Sequence, residues 1–465
     1  MDEYDVIVIG AGPAGENAAG RCADHGLSVV IVERELIGGE CSYWGCIPSK
    51  TLIRPGDALA AARRVPGAAE AVTGKLDADA AFARRDYMTS DWNDEGQVPW
   101  LDEHGIALVR GSARLTGVRE VAVDERRLLA RRAVVLATGT TPAVPPVTGL
   151  PEARPWNNRD ATAAKELPRR LLVLGGGAVG AELAQGFRRL GCEEVTVVES
   201  ADRLLAHEEP FAGDEVRKAF EAEDITVVTG VRMTAVRRSG PDAPVTATLG
   251  DDREIEADEI LVAVGRRAAT TELGLDTVGL KPGEYVGVDD RLRATGVDGD
   301  WLYAVGDCNG RTGLTHMGKY QGRIVGDVIA GRDIRDRASV TVVPRVTFTD
   351  PQVCAVGYTE AQAREADLEI RTVSYQVGDV PGAYTMGEGV GGTAKLVIDA
   401  QRRVIVGATF TGPGLQELLH SATIAIAGEV PLDRLWHAVP SFPTISEVWL
   451  HLLEQLPDFT AGNPN

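Results

Sequence analysis

The chain has 465 residues, 44% hydrophobic and 25% charged, and its 68 acidic against 48 basic side chains give a formal net charge of -20. That length is too great for one core and implies about three domains, the composition is that of a soluble globular protein, and the negative charge repels phosphate backbones, which excludes nucleic acid as a partner. No apolar run approaches the ~20 residues needed to cross a bilayer, and the start, MDEYDVIVIG, has acids in place of a basic leader, so a cytoplasmic protein away from membranes is expected.

The first predicted unit is YDVIVIGAGPAGENAAGRCADHGLSVVIVERE: an apolar strand, a tight turn at Gly10, Gly12 and Gly15, a helix, and a second strand ending at Glu33. The first glycine allows the turn, the second lets the backbone approach a pyrophosphate, and the third lets helix pack on strand, while the unpaired N–H groups of the helix start face the anion. Next comes GGECSYWGCIPSK, with Cys41 and Cys46 five positions apart. A staple, a metal clip and an electron relay are the three readings of such a pair. Six cysteines are too few to staple this chain, and no second Cys or His pair completes a four-ligand zinc site, so no metal is expected.

VVLATGTTPAVPP, residues 134–146, reads as a strand leaving through Gly139 into a Pro-rich boundary. Beyond it RLLVLGGGAVGAELAQGFRRLGCEEVTVVES repeats the first unit with Gly175, Gly177 and Gly180, ending at Glu199. The acid follows the first glycine by 23 positions in one copy (Gly10 to Glu33) and by 24 in the other (Gly175 to Glu199), so two dinucleotides are implied. A carboxylate at Glu199 accepts hydrogen bonds from ribose hydroxyls but repels a 2′-phosphate, a rule that nearby Arg203 softens. EILVAVGRR, through Gly265, and WLYAVGDCNG, with Asp307, return to strand. From about residue 338 PRVTFTDPQVCAVG and GTAKLVIDAQRRVIVGATFTG read as paired strands, followed by two amphipathic helices near 415–426 and 445–456. That tail has no glycine fingerprint and is assigned to packing or assembly.

In this order the motifs resemble the class I pyridine nucleotide-disulfide oxidoreductases, the family of dihydrolipoamide dehydrogenase, glutathione reductase and mercuric reductase. The resemblance implies an α/β protein with two Rossmann-like dinucleotide-binding domains, for FAD and NAD, plus a C-terminal α+β dimerisation domain. Its divisions would be an FAD domain over 1–148, an inserted NAD(P) domain over 149–268, a central segment completing the FAD domain over 269–337, and a homodimer interface over 338–465. Gly10, Gly12, Gly15, Glu33, Gly139 and Asp307 would serve FAD, and Gly175, Gly177, Gly180, Glu199 and Gly265 the nicotinamide coenzyme. The cysteine pair becomes an electron relay, with Cys46 facing the flavin and Cys41 meeting the substrate at the start of a helix. Lys50 would stand at the flavin edge with Glu182 as its ion-pair partner. Cys22, Cys192, Cys308 and Cys354 read as small buried hydrophobes.

The pattern breaks near the end. Where the family carries His-Pro-Thr-x-x-Glu, contributed to the active site of the other subunit, residues 442–447 read FPTISE. Glu447 is kept, but Phe442 cannot carry a proton, and a positioned acid–base group is worth about 10² to 10⁴ in rate. Ordinary lipoamide or glutathione turnover should fall accordingly, with His437 as the nearest replacement. Further departures are Glu40 for a Thr or Ser, Ser42, Tyr43 and Trp44 between the cysteines, and GRRAA at 265–269 in place of the usual Pro-Asn. The C-terminus lacks the cysteine pair of mercuric reductases. Phenylalanine in the histidine's place resembles 2-ketopropyl-coenzyme M oxidoreductase/carboxylase, which also replaces the glutamate that is retained here. The expected function is NADH-dependent electron transfer through FAD and Cys41–Cys46 to a small disulfide or thioether. The alternatives are an NADH:quinone or diaphorase-type reductase, a ketopropyl-coenzyme M carboxylase-like enzyme, and a non-enzymatic flavin redox sensor.

Overall fold

The computed structural model describes residues 1–241, 243–456 and 458. They fall into two compact units, one built from residues 1–48, 84–143 and 265–340, the other from 49–83, 144–264 and 341 onward. The helix Cys46–Arg63 begins in the first and continues in the second.

In the first unit the apolar run Val6 to Ile9 is buried on both faces, as a central parallel strand requires. The strand Asp2–Ile9 lies between Val29–Glu33 and Arg126–Leu136, parallel to both. Ala107–Arg110 extends one edge, Glu120–Val123 and Ala113–Gly117 the other, and Leu302–Ala304 also pairs with Arg126–Leu136. Register sets Ile9 opposite both Val32 and Leu136, so three strands end level and Gly10, Glu33 and Gly139 gather at one sheet edge. The helix Pro13–Asp24 leaves that edge with proline at its first position, where the missing N–H costs nothing. Helix Thr315–Ile329 packs against it through a glycine stripe: a Cβ at Gly322 would stand 2.5 Å from the Ala14 carbonyl oxygen, and one at Gly326 would stand 2.6 Å from Arg21 Cβ.

The second unit holds a four-stranded parallel sheet in the order 225–229, 194–199, 170–174, 259–262, and a three-stranded antiparallel sheet over 233–257. A five-stranded antiparallel sheet follows, with the predicted hairpin Thr393–Asp399 and Val404–Gly412 at its centre. Phe410, Leu396, Ile398, Leu419 and Leu452 fill its core. The two C-terminal helices are shorter than the sequence periodicity suggests, Leu419–Ala427 and Val448–Glu454, each after a three-residue tight turn. Gly414, at φ 72°, precedes the first of those turns, and the helix after it ends on left-handed Glu429, at φ 44°, with the Glu429 and Val430 amides donating to the Ile426 and Ala425 carbonyls. Among the described residues no helix is long and apolar enough to cross a membrane, and no group of metal-ligating side chains gathers.

Candidate active site

The first glycine turn is built by exclusion. Gly10 has φ +101°, and a Cβ there would stand 2.5 Å from the Ala137 carbonyl oxygen; a Cβ at Gly15 would stand 1.9 Å from the Gly10 oxygen. Gly12 has nothing within 4 Å of its Cβ position, which is the open cradle a diphosphate needs. In the second unit Gly175 has φ +108° and meets the Ala263 oxygen at 2.5 Å, Gly180 meets the Gly175 oxygen at 1.9 Å, and Gly177 is again open. The closing acids also repeat. Glu33 accepts from the amides of Ala11 and Glu35, both at 2.7 Å. Glu199 accepts from Gly176 at 2.6 Å and Ala201 at 2.7 Å. Each carboxylate has spare lone pairs for ribose hydroxyls, so the donor and acceptor set fits one dinucleotide at each turn. Nearby, Arg203 donates through one guanidinium nitrogen to the Ala206 and Glu208 carbonyls at 2.8 and 3.3 Å.

A second group of expected residues meets in the first unit. Strand Thr140–Pro142, which follows Gly139, pairs with Arg266–Ala268, which follows Gly265. Both glycines have positive φ, +68° and +123°, with open space where a side chain would begin. Asp307 accepts from the Thr140 hydroxyl at 2.9 Å, and burial raises its carboxyl above the usual range. Arg266, which no motif singled out as functional, donates to the Thr140 hydroxyl at 2.7 Å and reaches Glu40 at 3.3 Å. Glu40, flagged as a departure, is therefore the ion-pair partner of Arg266.

The redox segment rests on the first turn, because the Gly38 amide donates to Ala11 at 2.8 Å and a Cβ at Gly39 would stand 2.8 Å from Gly12 Cα. Its cysteines do not share one helix as the sequence suggests. Cys41 lies in a short helix, Gly39–Tyr43, and Cys46 opens the next, Cys46–Arg63, with Gly45 at the tight bend between them. The two thiols are hydrogen-bonded, and that bond, followed by burial and the charge of a Cys46 thiolate, raises the Cys41 pKa. The Thr315 hydroxyl, also missed by sequence reasoning, stands 3.3 Å from Cys46 Sγ. The other four cysteines are fully buried, and burial pushes them up to about 12 for Cys22 and Cys354 and about 11 for Cys192 and Cys308. They are inert as nucleophiles. Tyr43 is buried within the first unit, its carbonyl accepting from Trp92 Nε1 at 3.1 Å.

One helical turn after Cys46, Lys50 pairs with Glu182. Glu182 is buried; its second oxygen accepts from the Phe348 amide at 2.9 Å, and the Lys50 ammonium stands 4.9 Å from the Phe348 ring centroid. Burial and two partners fix the carboxylate, and the carboxylate fixes the lysine. At the far end of the chain Phe442 is 73% exposed, next to Val439 at 85%. Glu447 follows it with one oxygen buried and unbonded among the described residues. His437 is exposed.

A family model for the pyridine nucleotide-disulphide oxidoreductases matches residues 4–322, and one for their dimerisation domain matches residues 343–453. The chain is 34% identical over 463 residues to a dihydrolipoyl dehydrogenase of Thermus scotoductus, covering 98% of each. It is likewise 34% identical over 448 residues to a mercuric reductase of Streptomyces lividans, covering 93% of each. The solved structure of LpdA from Mycobacterium tuberculosis matches with a TM-score of 0.85 at 25% identity, over 98% of this chain and 100% of that one. The chain belongs to the pyridine nucleotide-disulphide oxidoreductase family, an oxidoreductase whose dimerisation domain marks a homodimer.

Proposed function

We propose that the protein takes electrons from NADH and, with FAD bound in its first unit, delivers them through Cys41–Cys46 to a small disulfide or thioether. The observation that carries this reading is the hydrogen-bonded thiol pair, backed by Thr315 at 3.3 Å and lying one helical turn before the fixed Lys50. FAD, when bound, supplies the two-electron step between nicotinamide and sulfur. Gly10, Gly12, Gly15, Glu33, Gly139 and Asp307 would hold it, in a domain made of residues 1–148 and 269–337. Gly175, Gly177, Gly180 and Glu199 would hold NADH within 149–268, and 338–465 would form the interface.

The residues divide the remaining work. The Thr315 hydroxyl donates to Cys46 once that sulfur is a thiolate, and the start of helix Cys46–Arg63 favours the same charge. Lys50, held by Glu182, offers positive charge at a fixed point. Glu199 favours NADH, because its carboxylate would accept from ribose hydroxyls and repel a 2′-phosphate. Phe442 and Glu447 would reach the active site of the other subunit, which fits the exposure of Phe442 and the unbonded oxygen of Glu447. A cytoplasmic setting suits a chain whose cysteines are too few to staple it.

A second reading, direct reduction of a quinone by the flavin, is favoured by Phe442, since it needs no proton relay at the sulfurs. Cys41→Ser separates the two. In the first reading NADH-dependent disulfide reduction falls at least ~10²-fold, the scale of a lost positioned reactant, while the bound flavin is still bleached by NADH. Reduction of every acceptor at the unaltered rate would establish the second reading instead.

A further inference from the structure

Three consecutive residues of the first unit, Ser90, Asp91 and Trp92, are left-handed, with φ of 50°, 50° and 57°. Residues that carry a side chain enter that region seldom and singly, and a bulky one there is an outlier. Such a turn persists only where its surroundings fix it. The contacts that fix this one run to the redox segment. Trp92 Nε1 donates to the Tyr43 carbonyl at 3.1 Å. Tyr43 closes the short helix Gly39–Tyr43, so its carbonyl is among those that the helix itself leaves without a partner. Over the indole ring, the Arg85 guanidinium stands 5.3 Å from the centroid; that arginine is fully buried and pairs with Asp86 at 2.7 Å. The Thr89 hydroxyl donates to the Arg85 carbonyl at 3.1 Å, which ties the start of the turn to the same residue. Two positions past Trp92, Asp94 accepts from the Ile37 amide at 2.7 Å and pairs with Arg110 at 2.7 Å. The turn therefore grips the redox segment on both sides of Cys41, at Ile37 and at Tyr43.

We propose that Trp92 is a positioning residue of the cysteine pair: its indole N–H holds the end of helix Gly39–Tyr43 so that Cys41 stays within reach of Cys46. The inference rests on the thiol-relay reading. Each cysteine thiol gives its proton to solvent before it attacks. The Cys41 thiolate attacks one sulfur of the substrate disulfide, that S–S bond breaks, and the first substrate thiolate leaves and takes a proton from solvent. Cys41 then carries the other half of the substrate. The Cys46 thiolate attacks Cys41 Sγ, expels the second substrate thiolate, which is also protonated by solvent, and closes the Cys41–Cys46 bond. The substrate gains two electrons, the pair loses two, and NADH restores them through the flavin. Only the second attack joins two groups of this chain, so only its rate depends on how closely the chain holds them. Trp44 and Gly45 alone link the two helices, and glycine is the residue that least resists bending. A hold on Tyr43 from another segment supplies the rigidity that this link lacks.

The test is a single turnover of the holoenzyme, reduced with dithiothreitol and desalted, against one equivalent of 5,5′-dithiobis(2-nitrobenzoate). One coloured aryl thiolate is released when Cys41 attacks and a second when Cys46 closes the bond; the other four cysteines are fully buried and do not compete. Trp92→Phe keeps a ring over Arg85 and removes the N–H. It is expected to release the first thiolate as the natural chain does and the second about tenfold more slowly, the scale of one lost hydrogen bond, with the Cys41 adduct detected by mass spectrometry in the interval. A protein that is merely less well folded loses amplitude in both releases together. Asp94→Asn exchanges a charged acceptor for a neutral one at Ile37 and should slow the same second release by about threefold; it decides the matter if Trp92→Phe does not purify with flavin. A second release at the natural rate, or equal slowing of both, overturns the proposal. If the natural chain itself never releases the second thiolate, the pair does not close, the relay reading fails, and the role of Trp92 falls with it.

Discussion

The two glycine turns are near copies, yet what each helix carries after its third glycine differs. Gly10, Gly12 and Gly15 match Gly175, Gly177 and Gly180 in the contacts a side chain would meet, to within about a tenth of an ångström at the forbidden positions. Backbone demand is thus the same in both. After Gly15 come Glu16 and Asn17; after Gly180 come Ala181 and Glu182. The first acid is left near neutrality beside a lysine, whereas the second is buried and locked to Lys50 and an amide. A repeated frame specifies where a ligand can lie, and the residues one and two steps past it are free to differ in chemistry.

The sharpest break of that symmetry comes from the third glycines. Gly15→Ala and Gly180→Ala each drive a methyl toward a carbonyl oxygen 1.9 Å away. A shift of about 1 Å in a binding turn costs roughly 10²-fold, but in different functions. Gly15→Ala should purify without yellow colour, and Gly180→Ala should stay yellow, be bleached by dithionite and respond at least ~10²-fold more slowly to NADH. If both lose flavin equally, the assignment of one cofactor to each turn is wrong.

The closing acids sharpen the comparison at a smaller scale. A hydrogen bond to a charged group is worth about 1.5–3 kcal/mol. Glu199→Ala should therefore lower kcat/KM for NADH by roughly tenfold or more and leave NADPH nearly untouched. Glu33→Ala should weaken flavin retention without altering coenzyme choice. A natural chain that uses NADPH better than NADH would reverse the role given to Glu199.

The smallest effects lie at the entry of each sheet. Asp5 bonds to Arg131 and to Ser28, and these contacts hold its carboxyl at about 2 against a usual 3.8. In the second unit Asp258 is also lowered, burial being outweighed by its bonds to Arg170. A depressed carboxyl stabilises the fold above its unfolded value, and the benefit is lost as pH falls through about 4 towards 2. Asp5→Asn should cost about 0.5–1 kcal/mol in urea unfolding at pH 7, since solvent screens an exposed pair. The cost should vanish at pH 2. Asp258→Asn should show the same sign, and a deficit that persists in acid would point to packing instead of charge.

Much of this was legible in the sequence because it is written in local backbone demands. Gly10, Gly15, Gly175 and Gly180 are glycines since nothing larger fits, and Glu33 and Glu199 follow at the distance one strand–helix–strand unit requires. The cysteine pair was equally visible, although its split between two helices was not, because the left-handed Gly38 and the bend at Gly45 fold a short segment onto its own residues, Ser42, Tyr43 and Glu40, which no apolar spacing signals. Thr315 and Arg266 escaped for another reason. Each lies on an element whose own pattern is unremarkable and gains meaning only from what another element brings beside it. Arg266 left a trace only through its partner, since Glu40 departs from the family's usual residue. Reading the two together required knowing that 226 positions of chain close into a contact.

That contact has an evolutionary consequence. Arg266 stands between two acids, Glu40 beside the sulfurs and Asp307 at the sheet edge, with Thr140 joining it to the second. Losing the arginine alone would strand both negative charges, and losing Glu40 alone would leave the guanidinium leaning on Thr140 and Asp307 only. Codons more than two hundred apart are therefore expected to be coupled in one direction, so lineages that acquire Glu40 should keep Arg266 and Asp307.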